Sequence, residues 1–189
     1  HPHGQVYAYS YLPKKLEGEA QSAKEHFERT GRNLFLDLLE EEKRDGRRIL
    51  FENAYFTVYV PFFSPLTYGV HVTANRQLPH IGAMTGEELD ALGEVVRDVS
   101  GMYDSLFDTS FPYMMAMHQG PVNGEDASNF YRFQIEFIPV LRSKDKQQFF
   151  ASSESGAGAY CNPTAPEEQA LELREAYSRI QGIWHSRGE

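Results

Sequence analysis

The first five residues place polar side chains at every second position: His1-Pro2-His3-Gly4-Gln5. In an extended strand, residues i, i+2 and i+4 share one face at steps of roughly 6.5 to 7 Å. Three such side chains in line can contact a metal ion, a phosphorus atom and a phosphoryl oxygen without competing. Proline marks a strand start, and glycine lets a ligand approach the backbone closely. The spacing alone is as typical of a terminal tag or a surface turn, so both interpretations stay open.

The elements that would position this motif alternate between strands and helices. Period-two patterns predict strands over Val6–Leu12, Ile49–Asn53, Phe56–Pro61, Tyr68–Thr73, Tyr113–His118 and Phe130–Ile138, with a hairpin between the second and third. Helices are predicted over Leu16–Thr30 and Asn33–Lys43, from the capping box Thr85-Gly86-Glu87-Glu88, and from Thr164, where Glu167 would complete a second box. The order predicts an α+β fold with helices packed on a mostly antiparallel sheet.

Composition excludes several classes of partner. The chain has 18 Lys and Arg residues against 27 Asp and Glu, so no clustered cationic surface for nucleic acid is expected. No apolar run approaches the roughly 20 residues that a membrane span needs. The 189 residues are enough for one domain, or one and a fragment, with a sizeable core. The single cysteine, Cys161, cannot form an internal disulfide and suggests a reducing cytoplasm.

Several segments resemble the galactose-1-phosphate uridylyltransferase family, a branch of the histidine-triad superfamily. The opening motif is similar to the active-site signature of the family. Further similarity lies in Ser110-Phe111-Pro112-Tyr113 with His118, in Asn123-Gly124-Glu125, in Leu141-Arg142-Ser143 followed by Glu154-Ser155-Gly156-Ala157-Gly158, and in residues 162–168. The resemblance covers essentially the whole chain in the right order, and it implies a histidine-triad-like fold.

The resemblance also implies a domain organisation and an activity. Enzymes of this family have two histidine-triad-like halves and act as homodimers, so residues 1–30 would end the first half and residues 31–189 would form the second. We therefore expect a longer protein that exchanges UMP between UDP-glucose or UDP-galactose and hexose 1-phosphates in galactose catabolism. The alternatives are a related sugar-nucleotide or dinucleoside polyphosphate phosphorylase, and a non-catalytic dimerising fragment that binds sugar phosphate.

Two residues of the motif carry the chemistry that the resemblance implies. His3 matches the nucleophile that forms a uridylyl-histidine intermediate, and neutral imidazole is a good nucleophile near neutral pH. Gln5 matches the residue that hydrogen-bonds the phosphoryl oxygens. Because an amide cannot act as an acid or a base, Gln5 favours transfer over hydrolysis.

Hexose 1-phosphate binding is implied for residues 148–154, acting across the dimer. The matching residues are Gln148, Phe149, Ala151, Ser153 and Glu154, and the Glu154 carboxylate can accept hydrogen bonds from adjacent sugar hydroxyls. Many members have a lysine where this chain has Gln148, so Lys144 or Lys146 is an alternative phosphate contact. A short surface helix before a glycine-rich turn is the alternative for the whole segment.

Two metal sites follow from the resemblance. His1 matches a ligand of structural zinc, although the paired cysteines of that site are absent from this sequence. Glu19 and His118 match two ligands of a second site for iron or zinc, but Arg132-Phe133-Gln134 replaces the His-x-His pair. Arginine is a permanent cation that cannot ligate. We therefore expect no iron, zinc only as the family cofactor, and contact of Arg132 with Glu19 and His118.

Overall fold

The computed structural model describes residues 3–122, 124 and 126–187, with side chains through residue 182. Its helices are α1 (Lys14–Thr30), α2 (Leu34–Asp45), α3 (Gly86–Phe107), α4 (Ser152–Ala157) and α5 (Pro166–Arg187), with a 3-10 turn at Ile81–Ala83. Its strands are β1 (Ile49–Glu52), β2 (Phe56–Tyr59), β3 (Val70–Ala74), β4 (Tyr113–His118), β5 (Gln134–Pro139), β6 (Leu141–Ser143) and β7 (Lys146–Gln147). The zinc prediction for His1 lies outside the described residues.

Five strands form one sheet in the order β1-β2-β3-β5-β4, and β6 with β7 forms a separate hairpin. Every described strand pair is antiparallel. The predicted α+β class, a mostly antiparallel sheet with helices packed on it, is confirmed. The division into residues 1–30 and 31–189 stays a prediction.

One face of the sheet forms the main core. Alternate residues of β2, β3 and β5 point to it and are buried: Phe56, Val58, Val70, Val72, Ile135 and Phe137. Helices α3 and α5 cover this face with Val95, Val99 and Leu173, which belong to the same cluster. Burial of a large aliphatic side chain contributes roughly 1.5 to 3 kcal/mol, so this face holds both helices on the sheet.

Capping residues define the predicted helix ends. The Asn33 side chain accepts hydrogen bonds from the backbone nitrogens of Phe35 and Leu36 at 3.0 and 3.2 Å, so α2 begins at Leu34. Gly46 ends α2 at a φ of 73°, a left-handed conformation that glycine adopts without strain. The capping box of Thr85 and Glu88 is present at the start of α3.

Several boundaries differ from the sequence prediction by a few residues, and three of the differences have a local cause. Val6–Leu12 forms no strand, because none of the described residues pairs with it through the backbone. Strand β5 begins at Gln134, since residues 128–130 form a turn in place of the predicted start at Phe130. Helix α5 begins at Pro166, two residues after Thr164, and proline suits a first helical position because its fixed φ is already helical.

A buried ionic cluster ties α2 to β1 and α5. Arg48 Nε donates to Glu42 Oε2 at 2.7 Å, and Arg48 Nη1 donates to Asp45 at 3.1 Å and to Glu167 at 2.5 Å. Glu42 Oε1 also accepts from the backbone nitrogen of Phe62 at 2.9 Å. Glu42 is 2% exposed, so its charge depends on Arg48 for compensation.

Substituting Arg48 with alanine should lower the free energy of unfolding by about 3 to 5 kcal/mol, because it leaves the Glu42 carboxylate buried without its cation. Urea unfolding followed by circular dichroism measures this change. The matched control is Arg47→Ala, since Arg47 is 67% exposed at its side chain and pairs with Asp45 at the surface. The control should change stability by less than about 1 kcal/mol. Equal losses in the two variants would show that the cluster is not stabilising.

Candidate functional site

The second face of the sheet is polar. Strand register brings Tyr59 opposite His71, His71 opposite Glu136, and His118 opposite Gln134. Side chains of paired residues lie on the same face, so these five form a continuous polar surface across β2, β3, β5 and β4. Helices α1 and α2 lie over it, since Gly18, Glu19 and Leu34 line a cavity together with His71 and Glu136.

Glu19, His118 and Glu136 converge where α1 meets β4 and β5. Each offers one ligand atom, and these atoms lie within 4.8 Å of one another. His118 Nδ1 is 3.2 Å from Glu19 Oε2, and His118 Nε2 is 3.7 Å from Glu136 Oε2. Two carboxylates and an imidazole are a donor set that suits a divalent transition metal. The three side chains therefore fit a metal site, which we call the Glu-His-Glu site.

The residues around the Glu-His-Glu site fix its charge. Burial lowers the pKa of His71 to about 4, so this imidazole is neutral near pH 7. Burial by itself would raise the pKa of Glu136, but His71 and Lys15 outweigh it and the pKa is lowered. Because His71 is neutral at pH 7, Lys15, whose Nζ lies 2.5 Å from Glu136 Oε2, is the cation that stabilises this carboxylate.

Tyr131 supports the other carboxylate of the site. Its hydroxyl donates to Glu19 Oε2 at 3.2 Å, the same oxygen that faces His118. Burial and the charge of Glu19 raise the pKa of Tyr131, so the phenol keeps its proton and remains a donor. A hydrogen-bonded partner of this kind orients a carboxylate for metal binding.

A cavity of about 310 Å³ adjoins the site. Its polar wall contains Glu19, His71 and Glu136, and its apolar wall contains Leu34, Phe35, Leu38 and Phe63. Since two of its lining residues belong to the Glu-His-Glu site, the cavity offers an entry path for an ion.

The predicted contact of Arg132 with Glu19 and His118 is wrong. Among the described residues, Arg132 donates to the backbone oxygens of Ala74 and Arg76, the second at 3.1 Å. Glu136, which sequence reasoning missed, completes the site instead. Residues two apart on a strand share a face, so the alternation of Gln134, Ile135, Glu136 and Phe137 made Glu136 one candidate for this face, together with Gln134.

The motif residues His3 and Gln5 are exposed on a segment that precedes α1. The Tyr7 hydroxyl donates to Gln5 Oε1, so the amide nitrogen of Gln5 is the end that can donate to a ligand. The rings of Tyr7 and Tyr9 stack at a centroid distance of 6.2 Å. The roles of His3 and Gln5 stay predictions.

The segment of residues 148–154 contains both exposed and tethered side chains. Phe149 is 81% exposed. Gln148 instead accepts from the Thr67 nitrogen at 3.1 Å and donates to the oxygens of Thr67, Pro139 and Leu141 at 3.0 to 3.3 Å. Its amide therefore acts as a structural tether, and its role toward substrate stays a prediction.

The remaining side chains of this segment bond within the α4 region. Glu154 accepts from the nitrogens of Ala151 and Cys161 at 3.0 and 3.3 Å, and the Ser153 hydroxyl donates to the Ala159 oxygen at 3.0 Å. Helix α4 ends at Ala157 and is capped by Gly158, so the segment contains the short surface helix that was the alternative interpretation. Substrate binding by Phe149, Ala151, Ser153 and Glu154 stays a prediction.

Comparison with known proteins identifies the family of this fold. Residues 19–175 match the model of a family described as galactose-1-phosphate uridyl transferase, C-terminal domain. This chain belongs to the galactose-1-phosphate uridylyltransferase family. The matched range includes the Glu-His-Glu site and residues 148–154, so both lie in the part of the chain that matches this C-terminal domain.

Named relatives support the same assignment within the galactose-1-phosphate uridylyltransferase family. The chain is 38% identical to the galactose-1-phosphate uridylyltransferase of Thermotoga maritima over 95% of its own length and 56% of the relative. It is 30% identical to that of Saccharomyces cerevisiae over 95% of its length and 50% of the relative. The chain thus spans about half the length of these relatives.

A solved uridylyltransferase structure has the same fold. It superposes with a TM-score of 0.87 and 26% sequence identity, over 95% of this chain and 55% of that one. The agreement extends across the sheet and both helical layers, since it covers nearly the whole chain.

The Gln148→Ala variant should lose about 1 to 3 kcal/mol of stability, because the buried nitrogen of Thr67 loses its acceptor. The control is Gln147→Ala, whose side chain is exposed on β7 and which should leave stability within about 0.5 kcal/mol. Thermal unfolding of both variants measures the difference. If Gln148→Ala is as stable as the parent, the tether is not stabilising and only a substrate role would remain for this residue.

Proposed function

We propose that this chain is the C-terminal part of an enzyme that exchanges UMP between UDP-glucose and galactose 1-phosphate through a uridylylated His3. The observation that carries the proposal is the pair His3 and Gln5, exposed two residues apart in a chain of this family. The named relatives are galactose-1-phosphate uridylyltransferases. Because the chain spans about half of them, the activity belongs to the longer protein.

The reaction runs in two displacements. An imidazole nitrogen of His3 attacks the α-phosphorus of UDP-glucose; a P–N bond forms, and the bond to the β-phosphate oxygen breaks with its electron pair, which releases glucose 1-phosphate. A phosphate oxygen of galactose 1-phosphate then attacks the same phosphorus, the P–N bond breaks, and UDP-galactose leaves with His3 neutral again. Covalent catalysis replaces one difficult transfer with two easier ones.

Gln5 stabilises the phosphoryl oxygens during both displacements. Its amide oxygen is engaged by Tyr7, so its two N–H donors are directed away from that contact toward a ligand. A neutral amide donates hydrogen bonds to the oxygens without supplying a proton to water or to a leaving group. This property favours a sugar phosphate as the acceptor over hydrolysis.

Hexose 1-phosphate would bind at residues 148–154 and the adjoining β6–β7 hairpin. The hairpin carries the exposed cations Arg142, Lys144 and Lys146. Since the Gln148 amide is engaged with backbone groups, Lys144 or Lys146 is the better candidate for the phosphate, as a flexible ammonium can contact an anion. The overall charge of −9 repels anions, so this local positive patch has to supply the attraction.

The Glu-His-Glu site would hold a divalent metal, with zinc as the first ion to test. A bound ion would cross-link α1, which follows the motif, to strands β4 and β5. We further propose a cytoplasmic homodimer. None of the described helices combines the length and hydrophobicity needed to span a bilayer.

Incubation of the full-length protein with UDP-glucose should attach one UMP to His3, detected by mass spectrometry of the intact protein and of its peptides. His3→Ala should abolish the adduct because the nucleophilic nitrogen is gone. His80→Ala is the matched control, since His80 is also an exposed histidine and lies outside the motif. Full labelling of His3→Ala would refute the proposed nucleophile.

The second substrate separates transfer from phosphorolysis. After removal of free UDP-glucose, galactose 1-phosphate should discharge the labelled enzyme to UDP-galactose, whereas inorganic phosphate should leave the label in place. Liquid chromatography of the released nucleotide measures both reactions. Release of UDP by inorganic phosphate would instead support a sugar-nucleotide phosphorylase, and hexose 1-phosphate binding without labelling would support a non-catalytic binding fragment.

A further inference from the structure

We propose that Lys15 is a resident cation of the Glu-His-Glu site and competes with a divalent metal for Glu136. This inference rests on the metal site proposed above. It adds a residue of this chain that sets how tightly the site binds metal.

Lys15 occupies the oxygen that a metal would need. Its Nζ lies 2.5 Å from Glu136 Oε2, and that same oxygen is the one 3.7 Å from His118 Nε2. A zinc ion bound by Glu136 would lie about 2.0 to 2.2 Å from a carboxylate oxygen. An ammonium group and a divalent ion on one oxygen would repel each other in a poorly solvated site, so one displaces the other.

The placement of Lys15 on α1 supports a role toward the sheet. Lys15 and Glu19 are four residues apart, so both lie on the helix face that meets the sheet. A cation in the first turn of a helix is disfavoured by the helix dipole, and the contact with Glu136 compensates for this position.

Lys15 is also able to leave. Its side chain is 61% exposed, whereas those of Glu136 and His118 are 13% and 8% exposed. The ammonium can therefore move into water on its flexible stem while the metal ligands stay in place. Metal binding in this site is then an exchange of one cation for another, with little change in the rest of the fold.

Calorimetric titration with zinc chloride in a non-chelating buffer tests this competition. Lys15→Met keeps the apolar stem and removes the charge, and it should bind zinc about 10-fold more tightly than the parent, the change expected for loss of a competing charged hydrogen bond. Lys14→Met is the matched control, because Lys14 is 96% exposed and pairs with Glu17 at 3.6 Å. It should leave the affinity unchanged.

Glu136→Gln, made in the parent and in Lys15→Met, identifies which zinc ion belongs to the Glu-His-Glu site. Equal affinity of Lys15→Met and the parent for that ion would overturn the role of Lys15 and leave the metal site standing. If Glu136→Gln removes no zinc in either background, the metal site itself fails and the role of Lys15 fails with it. Circular dichroism of each variant checks the fold.

A second measurement uses the parent protein and needs no substitution. Zinc should increase the rate at which an amine-reactive ester labels Lys15, because the displaced ammonium loses its carboxylate partner. The labelling rate of Lys14 should stay constant, and peptide mass spectrometry resolves the two positions. Equal effects of zinc on both lysines would contradict the exchange.

Discussion

Paired charges hold α1 against the polar face of the sheet, and the candidate metal site depends on this contact. The apolar face is stabilised by burial under α3 and α5, but α1 meets strands that carry His118 and Glu136. Charged groups at such a contact are tolerated only when they are paired. Glu19 with His118 and Lys15 with Glu136 provide that pairing from one helix. The contacts that orient the start of α1 are therefore the same ones that build the candidate metal site.

Buried charges on the polar face are compensated in two ways, by side chains of opposite charge or by backbone carbonyl groups. At the Glu-His-Glu site, carboxylates face an imidazole and an ammonium. Arg132, which is fully buried, instead donates to backbone oxygens, and burial lowers its pKa to about 10. Carbonyl dipoles compensate a guanidinium less completely than a carboxylate does, so the carbonyl contacts of Arg132 do not offset the effect of its burial on the pKa. Because Arg132 donates to the oxygens of Ala74 and Arg76, its guanidinium does not compete with a metal cation for Glu19 or Glu136.

Sequence reasoning predicted the parts of the fold that local chemistry determines. The capping box at Thr85 correctly predicted the start of α3, and the pattern over Tyr113–His118 correctly predicted the whole of β4. The site was predicted only in part, because Glu19 and His118 were matched by family resemblance whereas Glu136 was not. A shift of two residues along β5 keeps every side chain on its face, so the pattern alone could not distinguish a site containing Arg132 or Gln134 from one containing Glu136. Lys15 depends on the packing of α1, which no local pattern encodes.

In the segment proposed for hexose 1-phosphate, Gln148 stands where the family resemblance implies a lysine in many members. A glutamine side chain can accept from the Thr67 nitrogen and donate to carbonyl oxygens at once, whereas a lysine can only donate. Gln148 uses both its amide oxygen and its amide nitrogen, so it attaches the chain to Thr67 immediately after β7. Tyr68, which follows Thr67 in the chain, is also held in place: its backbone nitrogen donates to Gln169 Oε1 of α5 at 2.9 Å. If hexose 1-phosphate binds at this segment as proposed, the engaged amide of Gln148 would leave phosphate recognition to the exposed ammonium groups of Lys144 and Lys146, because these can donate to an anion without giving up a backbone contact.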